Sequence, residues 1–502
     1  MAALFPSIKA LGESRVNNIF FLTARTTGKQ AAETAIGQLR EQGLRLKSLT
    51  LTAKDRICPH PEAHCNAEEC PRAKGHFDRV RTATEAVFQI DNWTRDAVLS
   101  FSELHGVCPF EFSLDLALVA DVVICDYNYA FDPRVYLRRF FDETPDRYAF
   151  LVDEAHNLVD RGREMFSASL KKSDIMATRK AVGKALPHFQ KVLGKINAWF
   201  VRAHKNHSVS DSQSAPPTDL TPLLWAAVHG VEKWLLANEK PLFQDAVLDL
   251  YFTLTGFLSI ADGYDETYAT CYTPGDDREF TVRLFCIDPS RHLGAALSRG
   301  DAVVLFSGTF TPFPYFKSIL GCRKDANNLF LPSPFPPENR FVLIHHAVCT
   351  RYHHRKASCA KVGRIITESC SQHAGNYLVF FPSYSYLEMV RPFLEHWAPD
   401  GVLLVQQPEM TEQQRESFVS AFGLDHTRPV MGLAVMGGVF GEGIDLSGDR
   451  LAGAVIVGVG LPAVCIEREL IRAYFESHDG SGFDFAYRFP GMNRVLQAAG
   501  RV

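Results

Sequence analysis

The sequence predicts an α/β protein in which one parallel-sheet domain is interrupted by two insertions and followed by a second α/β domain. Three observations carry this. Largely apolar runs such as NIFFLTA (18–24), VADVVIC (119–125) and AVIVGV (454–459) alternate with helical patterns, as in parallel sheets covered on both faces. That alternation lapses twice, over 54–110 and from about 160 to 260. The 502 residues, 46% hydrophobic and 22% charged, supply core for several domains and exclude a disordered chain, a rod or a collagen-like repeat.

In chain order, 2–12 reads as a short apolar helix ended by Gly12, 18–24 as a buried strand, 31–46 as a helix and 47–52 as a strand. Residues 54–110 carry Cys, His, Pro and charge with little periodicity. A strand at 119–125, a helix at 133–141 and a strand at 149–153 follow, the last ending in acidic residues. Segments 170–206 and 220–260 are helical in pattern, separated by the polar linker HSVSDSQSAPPTD (207–219). Strands return at 281–287 and 302–306, and the proline-rich SPFPPENR (333–340) reads as a hinge. Beyond it, strands are expected at 341–346, 377–381, 402–405, 430–435 and 454–459.

The net charge of −4 leaves nucleic-acid binding to local patches rather than to a globally basic surface. No uncharged apolar run reaches the ~18–20 residues of a membrane span, and the first residues lack a secretory pattern, so a cytoplasmic protein is expected. Of twelve cysteines, only Cys58, Cys65, Cys70 and Cys108 form a group in polar surroundings. The other eight read mostly as packed thiols.

The sharpest signal is FLVDEAHNL (150–158). A strand delivering Asp153 and Glu154 at its carboxyl end places two carboxylates on the sheet rim, where open α/β folds bind ligands. One can hold Mg²⁺ on nucleotide phosphates, the other can orient and deprotonate water, and His156 is placed to sense or relay that state. The plain alternative is an acidic turn that caps the next helix. Three companions argue against it: SGTFTP (307–312), MGGVFGEGIDLSG (436–448) and QAAGRV (497–502).

In this order and spacing, the four motifs resemble those of superfamily 2 helicases, and more narrowly the XPD/DinG-like branch that carries an iron–sulfur cluster. TART (23–26), Cys108-Pro-Phe with ADVVICDYNYAFDP (120–133), and NYLVFFPSYSYLEMV (376–390) extend the resemblance over nearly the whole chain. It implies two RecA-like lobes of the P-loop NTPase type, the first interrupted by a cluster insertion and a helical Arch insertion. The implied divisions are 1–54 (first lobe), 55–110 (cluster domain), 111–160 (first lobe with the DEAH box), 161–280 (Arch), 281–335 (end of the first lobe) and 336–502 (second lobe).

The implied activity is ATP-dependent unwinding of DNA, 5′→3′, on single-stranded and forked DNA in repair or replication. The sequence indicates no membrane and no particular protein partner. Cofactors would be ATP, Mg²⁺ and a [4Fe–4S] cluster on Cys58, Cys65, Cys70 and Cys108; zinc in the same thiolates, helped by His60, His64 and His76, stays open. By the same resemblance Gly443 and Asp445 contact nucleotide or couple the lobes, Gln497 meets the γ-phosphate or its water, and Arg501 acts as an arginine finger.

Two further features bear on binding. Nine Lys or Arg residues lie within 170–206 against the single acid Asp174, a face that could follow phosphates or simply be solvated. Tyr127, Tyr129 and Tyr384 are candidates for base stacking, although packing is the commoner fate of a tyrosine. No G-x-x-x-x-G-K-[ST] occurs, and TTGKQ (26–30) reads as the start of a helix, not a phosphate loop. In the family that loop directly precedes a helix like AALFPSIKALG, and motif VI runs past Gly-Arg. The chain is therefore expected to be a fragment, unable to hydrolyse ATP alone; the alternative is a catalytically inactive iron–sulfur nucleic-acid-binding protein.

Overall fold

The computed structural model describes residues 1–142, 146–236, 244–333, 335–398, 400–424, 428–441, 446 and 448–501. Its contacts divide the chain into two compact units: 1–307 with 316–322 and 465–471, and 308–315 with 323–464 and 472–501.

The first unit is built on a parallel sheet of β1 (Asn18–Leu22), β2 (Ser48–Thr50), β3 (Asn92–Trp93), β4 (Val122–Cys125), β5 (Tyr148–Val152) and β10 (Ala302–Leu305), in the order β10-β5-β1-β4-β2-β3. All paired neighbours run parallel. Every residue of β4 and β5 is buried, as a strand covered on both faces requires. On one face Ile19 and Leu151 pack with Leu4 and Ile8 of the helix Leu4–Gly12 and Ala32 and Ile36 of the helix Thr26–Glu41. On the other, Phe20 meets Phe140, Phe141, Tyr148 and Phe150 at ring separations of 5.3 to 5.8 Å. β10 is an edge strand whose residues alternate between exposed and half-buried.

The stretch from 54 to 110 is more ordered than its weak periodicity promised. It holds the helices His76–Val87 and Arg95–His105, the second opened by the Thr94 side chain capping Ala97 N–H and closed by left-handed Gly106. The expected helix at 133–141 reduces to one turn, Arg138–Phe141.

The second insertion also departs from expectation, because strands do not stop there. β6 (Ala168–Lys171), β7 (Asp211–Gln213), β8 (Tyr268–Pro274) and β9 (Phe280–Cys286) form an antiparallel sheet in the order β6-β9-β8-β7. The strand expected at 281–287 therefore joins this sheet, not the parallel one. β7 escaped notice because DSQ lies inside the polar linker and carries no apolar signal. Helices Lys172–Val182, Pro187–Asn206, Thr221–Leu235 and Gln244–Asp262 pack on one another, burying Ile175, Leu193, Ile196, Leu224 and Leu254, and the first and last of them meet β6 and β9.

The second unit carries β11 (Tyr377–Phe381), β12 (Val402–Val405), β13 (Val430–Val435) and β14 (Gly453–Ile456), all parallel in the order β12-β13-β11-β14. Buried Asn376 clamps its loops: its amide donates to the Gly423 and Arg450 carbonyls, and its oxygen accepts from Val430 N–H. No strand forms at 341–346, where Phe341 to Ile344 are 68 to 87% exposed. An apolar run without a neighbouring strand gains no ladder bonds. Among the described residues, no helix is long and apolar enough to cross a membrane.

Candidate functional site

The turn leaving β5 is held by both of its neighbours. Asp153 N–H donates to the Leu22 carbonyl at 2.9 Å and Ala155 N–H to the Phe306 carbonyl at 3.1 Å. Between them Glu154 has a φ of 45°, a left-handed conformation that costs an L-residue about 1–2 kcal/mol. The buried Tyr127 hydroxyl is bonded to the carbonyls of Asp153 and Glu154, the latter at 3.0 Å, and so holds the turn in that shape. Such strain, over-determined by its surroundings, is common where side chains must be aimed.

The two carboxylates then part. Thr23 Oγ1 donates to Asp153 Oδ2 at 3.2 Å. Burial pushes the Asp153 carboxyl above its ordinary value and the neighbouring Glu154 charge adds to this, while the Thr23 bond opposes them. Gly28, in the first turn of its helix, leaves the room: a Cβ there would lie 2.2 Å from Thr23 Oγ1 and 2.8 Å from Asp153 Oδ2.

Glu154 instead faces a second group. Its Oε2 lies 3.3 Å from His156 Nδ1 and 3.4 Å from the Ser307 hydroxyl, and Ser307 Oγ stands 2.7 Å from His156 Nδ1. The His156 side chain is 3% exposed and that of Glu154 41%. One carboxylate is thus semi-buried beside a threonine, and the other is solvent-facing and held by an imidazole and a hydroxyl. Such a pair can divide cation binding from proton abstraction.

The structure therefore brings Asp153, Glu154 and His156 together, and adds Ser307, Thr23, Tyr127 and Gly28. SGTFTP and TART had marked the first two as motifs without assigning their hydroxyls. Tyr127, expected as a possible stacking residue, is fully buried and positions the turn instead. Tyr129 and Tyr384 are half-buried, the latter's hydroxyl accepting from Gln406 Nε2 at 2.9 Å. TTGKQ begins a helix as expected, and Lys29 is spent on the Leu51 carbonyl at 3.0 Å. Burial lowers the pKa of that ammonium.

In the second unit, Gln497 is buried near the end of the helix Phe489–Ala499, and Arg501 Nε donates to the Gln497 carbonyl at 3.2 Å. Gly443 and Asp445 lie outside the described residues.

The four cysteines are less assembled than the carboxylates. Cys58 follows a short helical turn, Cys65 is exposed, Cys70 is buried and Cys108 caps the helix Pro109–Ala117. Lys54 lies in the electrostatic reach of three of them: a bond with Cys65 and the charges of Cys65, Cys58 and Cys108 raise its pKa against the effect of burial. Among the described residues, no group of three or more His, Cys, Asp or Glu side chains stands as a metal-ligand set. His64 Nδ1 is engaged by Asp245 at 2.9 Å, and His76 Nδ1 accepts from Cys108 N–H at 3.2 Å.

Of the other cysteines, Cys125, Cys271, Cys286, Cys359 and Cys370 are buried as expected, and burial pushes the Cys125 thiol up to about 12. Cys322 is half-buried, while Cys349 and Cys465 are exposed, because they lie in chain without helix or strand. On the helices from 172 to 206 most apolar residues turn inward, Met176 and Val201 excepted. Lys180, Lys184, Lys191, Lys195, Arg202 and Lys205 stay exposed, as either reading of that face requires.

Comparison with known proteins adds three findings. Residues 39–175 match the DEAD_2 family model and residues 366–502 a helicase C-terminal domain. The chain is 22% identical to the regulator of telomere elongation helicase 1 of Bos taurus, aligning over 93% of its own length but 47% of the bovine protein's. It is 20% identical to the transcription and DNA repair factor IIH helicase subunit XPD of Schizosaccharomyces pombe (90% and 73%), and 23% to the ATP-dependent DNA helicase XPD of Sulfolobus acidocaldarius (90% and 79%). The chain thus spans about half the length of the first of these relatives. A solved XPD helicase structure superposes with a TM-score of 0.61 over 97% of this chain and 85% of that one at 17% identity, a likeness of fold.

Proposed function

The chain belongs to the XPD/DinG-like family of superfamily 2 helicases, and from that premise we propose that it serves in ATP-dependent unwinding of DNA. The reading couples ATP hydrolysis to 5′→3′ movement along single-stranded DNA and to the opening of forked duplexes in repair or replication. The observation that carries it is the constellation at the end of β5, where Asp153 and Glu154 are preset in different environments.

In this reading Asp153 would hold a Mg²⁺ ion, which when bound would offset negative charge on the nucleotide phosphates. The site fits such an ion: a carboxylate aimed by Thr23 at a sheet rim suffices where phosphates and water supply the remaining ligands. Glu154 orients the attacking water and accepts its proton. His156 and Ser307 fix that carboxylate and link it to the segment that follows β10. Gln497 and Arg501 of the second unit serve the γ-phosphate and its developing charge, and Gly443 and Asp445 the nucleotide or the coupling of lobes.

A [4Fe–4S] cluster on Cys58, Cys65, Cys70 and Cys108 belongs to the reading through the family resemblance and the chemistry of four thiols. Because the thiols as placed do not form a cage, no step of the mechanism passes through it. Broad visible absorbance with stoichiometric iron and sulfide would support the cluster; stoichiometric zinc would replace it.

The 502 residues contain no glycine-rich phosphate loop with its lysine, so this chain alone is expected to bind single-stranded and forked DNA without DNA-stimulated ATP hydrolysis. Phosphate release measured with and without oligonucleotide tests this. Robust turnover abolished by Glu154→Gln would overturn the inactivity while supporting the base. The missing loop also favours a second reading, a catalytically inactive DNA-binding relative. The preset Glu154–His156–Ser307 group, which a dead motor does not need, argues against it.

A further inference from the structure

In the second unit the segment HHAVCTRYHH (345–354) holds five metal-ligating side chains in ten residues: His345, His346, Cys349, His353 and His354. All five are exposed. Four of the chain's 18 histidines fall here, a density that a merely solvated surface does not require, since other polar residues would serve it as well.

The backbone that carries them is anchored. Val348 packs against the core around Val379 and Val457. The Ala347 carbonyl accepts from Lys361 Nζ at 3.0 Å, and the Thr350 carbonyl from Arg355 Nε at 3.2 Å. Both donors stand on the helix Arg355–Cys370, and His354 N–H closes the turn before it on the Arg351 carbonyl at 2.8 Å. Cys349 and the second histidine pair are thereby tied to the first two turns of one helix, and His345 and His346 lead directly into the anchored stretch.

The spacing is also that of a chelate. His345, Cys349 and His353 follow one another with three residues between each, and His346 and His354 repeat the outer two positions one residue on. Gaps of this length occur between zinc ligands in short loops. Nitrogen and sulfur ligands together select a borderline-soft transition ion over Mg²⁺ or Ca²⁺, which take oxygen. Among the described residues no three of these side chains converge, as is usual for a loop site whose geometry comes with its ion.

We propose that His345, His346, Cys349, His353 and His354 form a site for one Zn²⁺ ion, bound by the Cys349 thiolate and by imidazoles from both histidine pairs. The Cys349 thiol releases its proton to solvent as the bond to zinc forms, and the histidines bind as neutral rings. The ion then ties the exposed chain at 341–346 to the start of the helix Arg355–Cys370. The site shares no residue with the four-cysteine group and does not depend on the helicase reading.

In the test, the whole chain as purified is equilibrated with Zn²⁺ and a chromophoric chelator that competes for it, and separately with Co²⁺, whose charge-transfer absorbance reports thiolate ligation. Because Cys58, Cys65, Cys70 and Cys108 can also take metal, the readout is the difference between wild type and variants treated alike. Cys349→Ser should lose one equivalent of tightly held Zn²⁺ and one cobalt–thiolate contribution. Replacing His345 and His346, or His353 and His354, by Asn should weaken the same site by more than about a hundredfold, beyond the about 10–100-fold that loss of an outer-shell partner costs. His396→Asn, exposed in the same unit but outside the segment, should change neither quantity. Equal zinc stoichiometry and affinity in wild type and Cys349→Ser overturns the proposal. Binding that the histidine variants weaken but Cys349→Ser does not is chelation by a histidine tract, and overturns it too.

Should a variant fail to fold, hydrogen exchange on the wild type decides. Slower exchange across 341–354 on adding Zn²⁺ supports the site, and unchanged exchange there refutes it.

Discussion

The carboxylates at the end of β5 and the four cysteines of the first insertion are both short groups of potential ligands in the same unit, yet they are prepared very differently. Asp153 and Glu154 leave a wholly buried strand, and their turn is fixed by bonds to Leu22, Phe306 and Tyr127. The cysteines come from separate segments, three of them within electrostatic reach of Lys54. A site that inherits its geometry from a sheet is set before any ligand arrives. One assembled from loops gains its geometry from the ligand, because thiolates repel until a cation compensates them.

The contrast can be broken most forcefully at the core. Phe150→Ala removes a fully buried ring that packs 5.8 Å from Phe20 and 5.5 Å from Phe141, and should cost about 3–5 kcal/mol in denaturant unfolding of the first unit. Cys65→Ser, at an exposed thiol, should leave that transition where it is in protein stripped of metal. Equal sensitivity at the two positions would erase the distinction.

Gly28→Ala is the next largest, at about 1–3 kcal/mol, since the methyl group must displace Thr23 or Asp153. A chain melting like the wild type would show that the packing around Asp153 is loose. Tyr127→Phe should cost about 1 kcal/mol, leaving the Asp153 and Glu154 carbonyls without their shared donor.

The smallest effect carries a sign. The folded state raises the Asp153 pKa, so the native protein binds that proton more tightly than the unfolded chain does. Stability from this group is therefore present at low pH and is lost as pH rises through the folded value. Asp153→Asn, which never carries the charge, should melt above the wild type at neutral pH and converge with it in acid. Melting curves that diverge on acidification would reverse the assigned environment.

Much of this was legible in the sequence, for reasons these residues illustrate. β5 and β11 are uniformly apolar, and a strand buried on both faces leaves no other trace. Asp153, Glu154 and His156 were readable because they follow one strand in sequence. Ser307 was named within a motif but not assigned, since its role depends on lying 2.7 Å from a histidine 151 residues away. β7 was invisible because a short strand of Asp, Ser and Gln takes its place from β8 rather than from its own side chains.

The described residues from Arg323 to Arg351, with one helical turn at Pro337–Asn339, present Phe330 and Phe341 almost fully to solvent. To a chymotrypsin-like protease this is the most inviting address in the described chain. A brief digestion should sever the polypeptide there first, yielding one piece with the DEAH box and another with the Gln497–Arg501 end. Whether those pieces then elute together or apart would report how firmly the two halves hold one another once the covalent tether is gone.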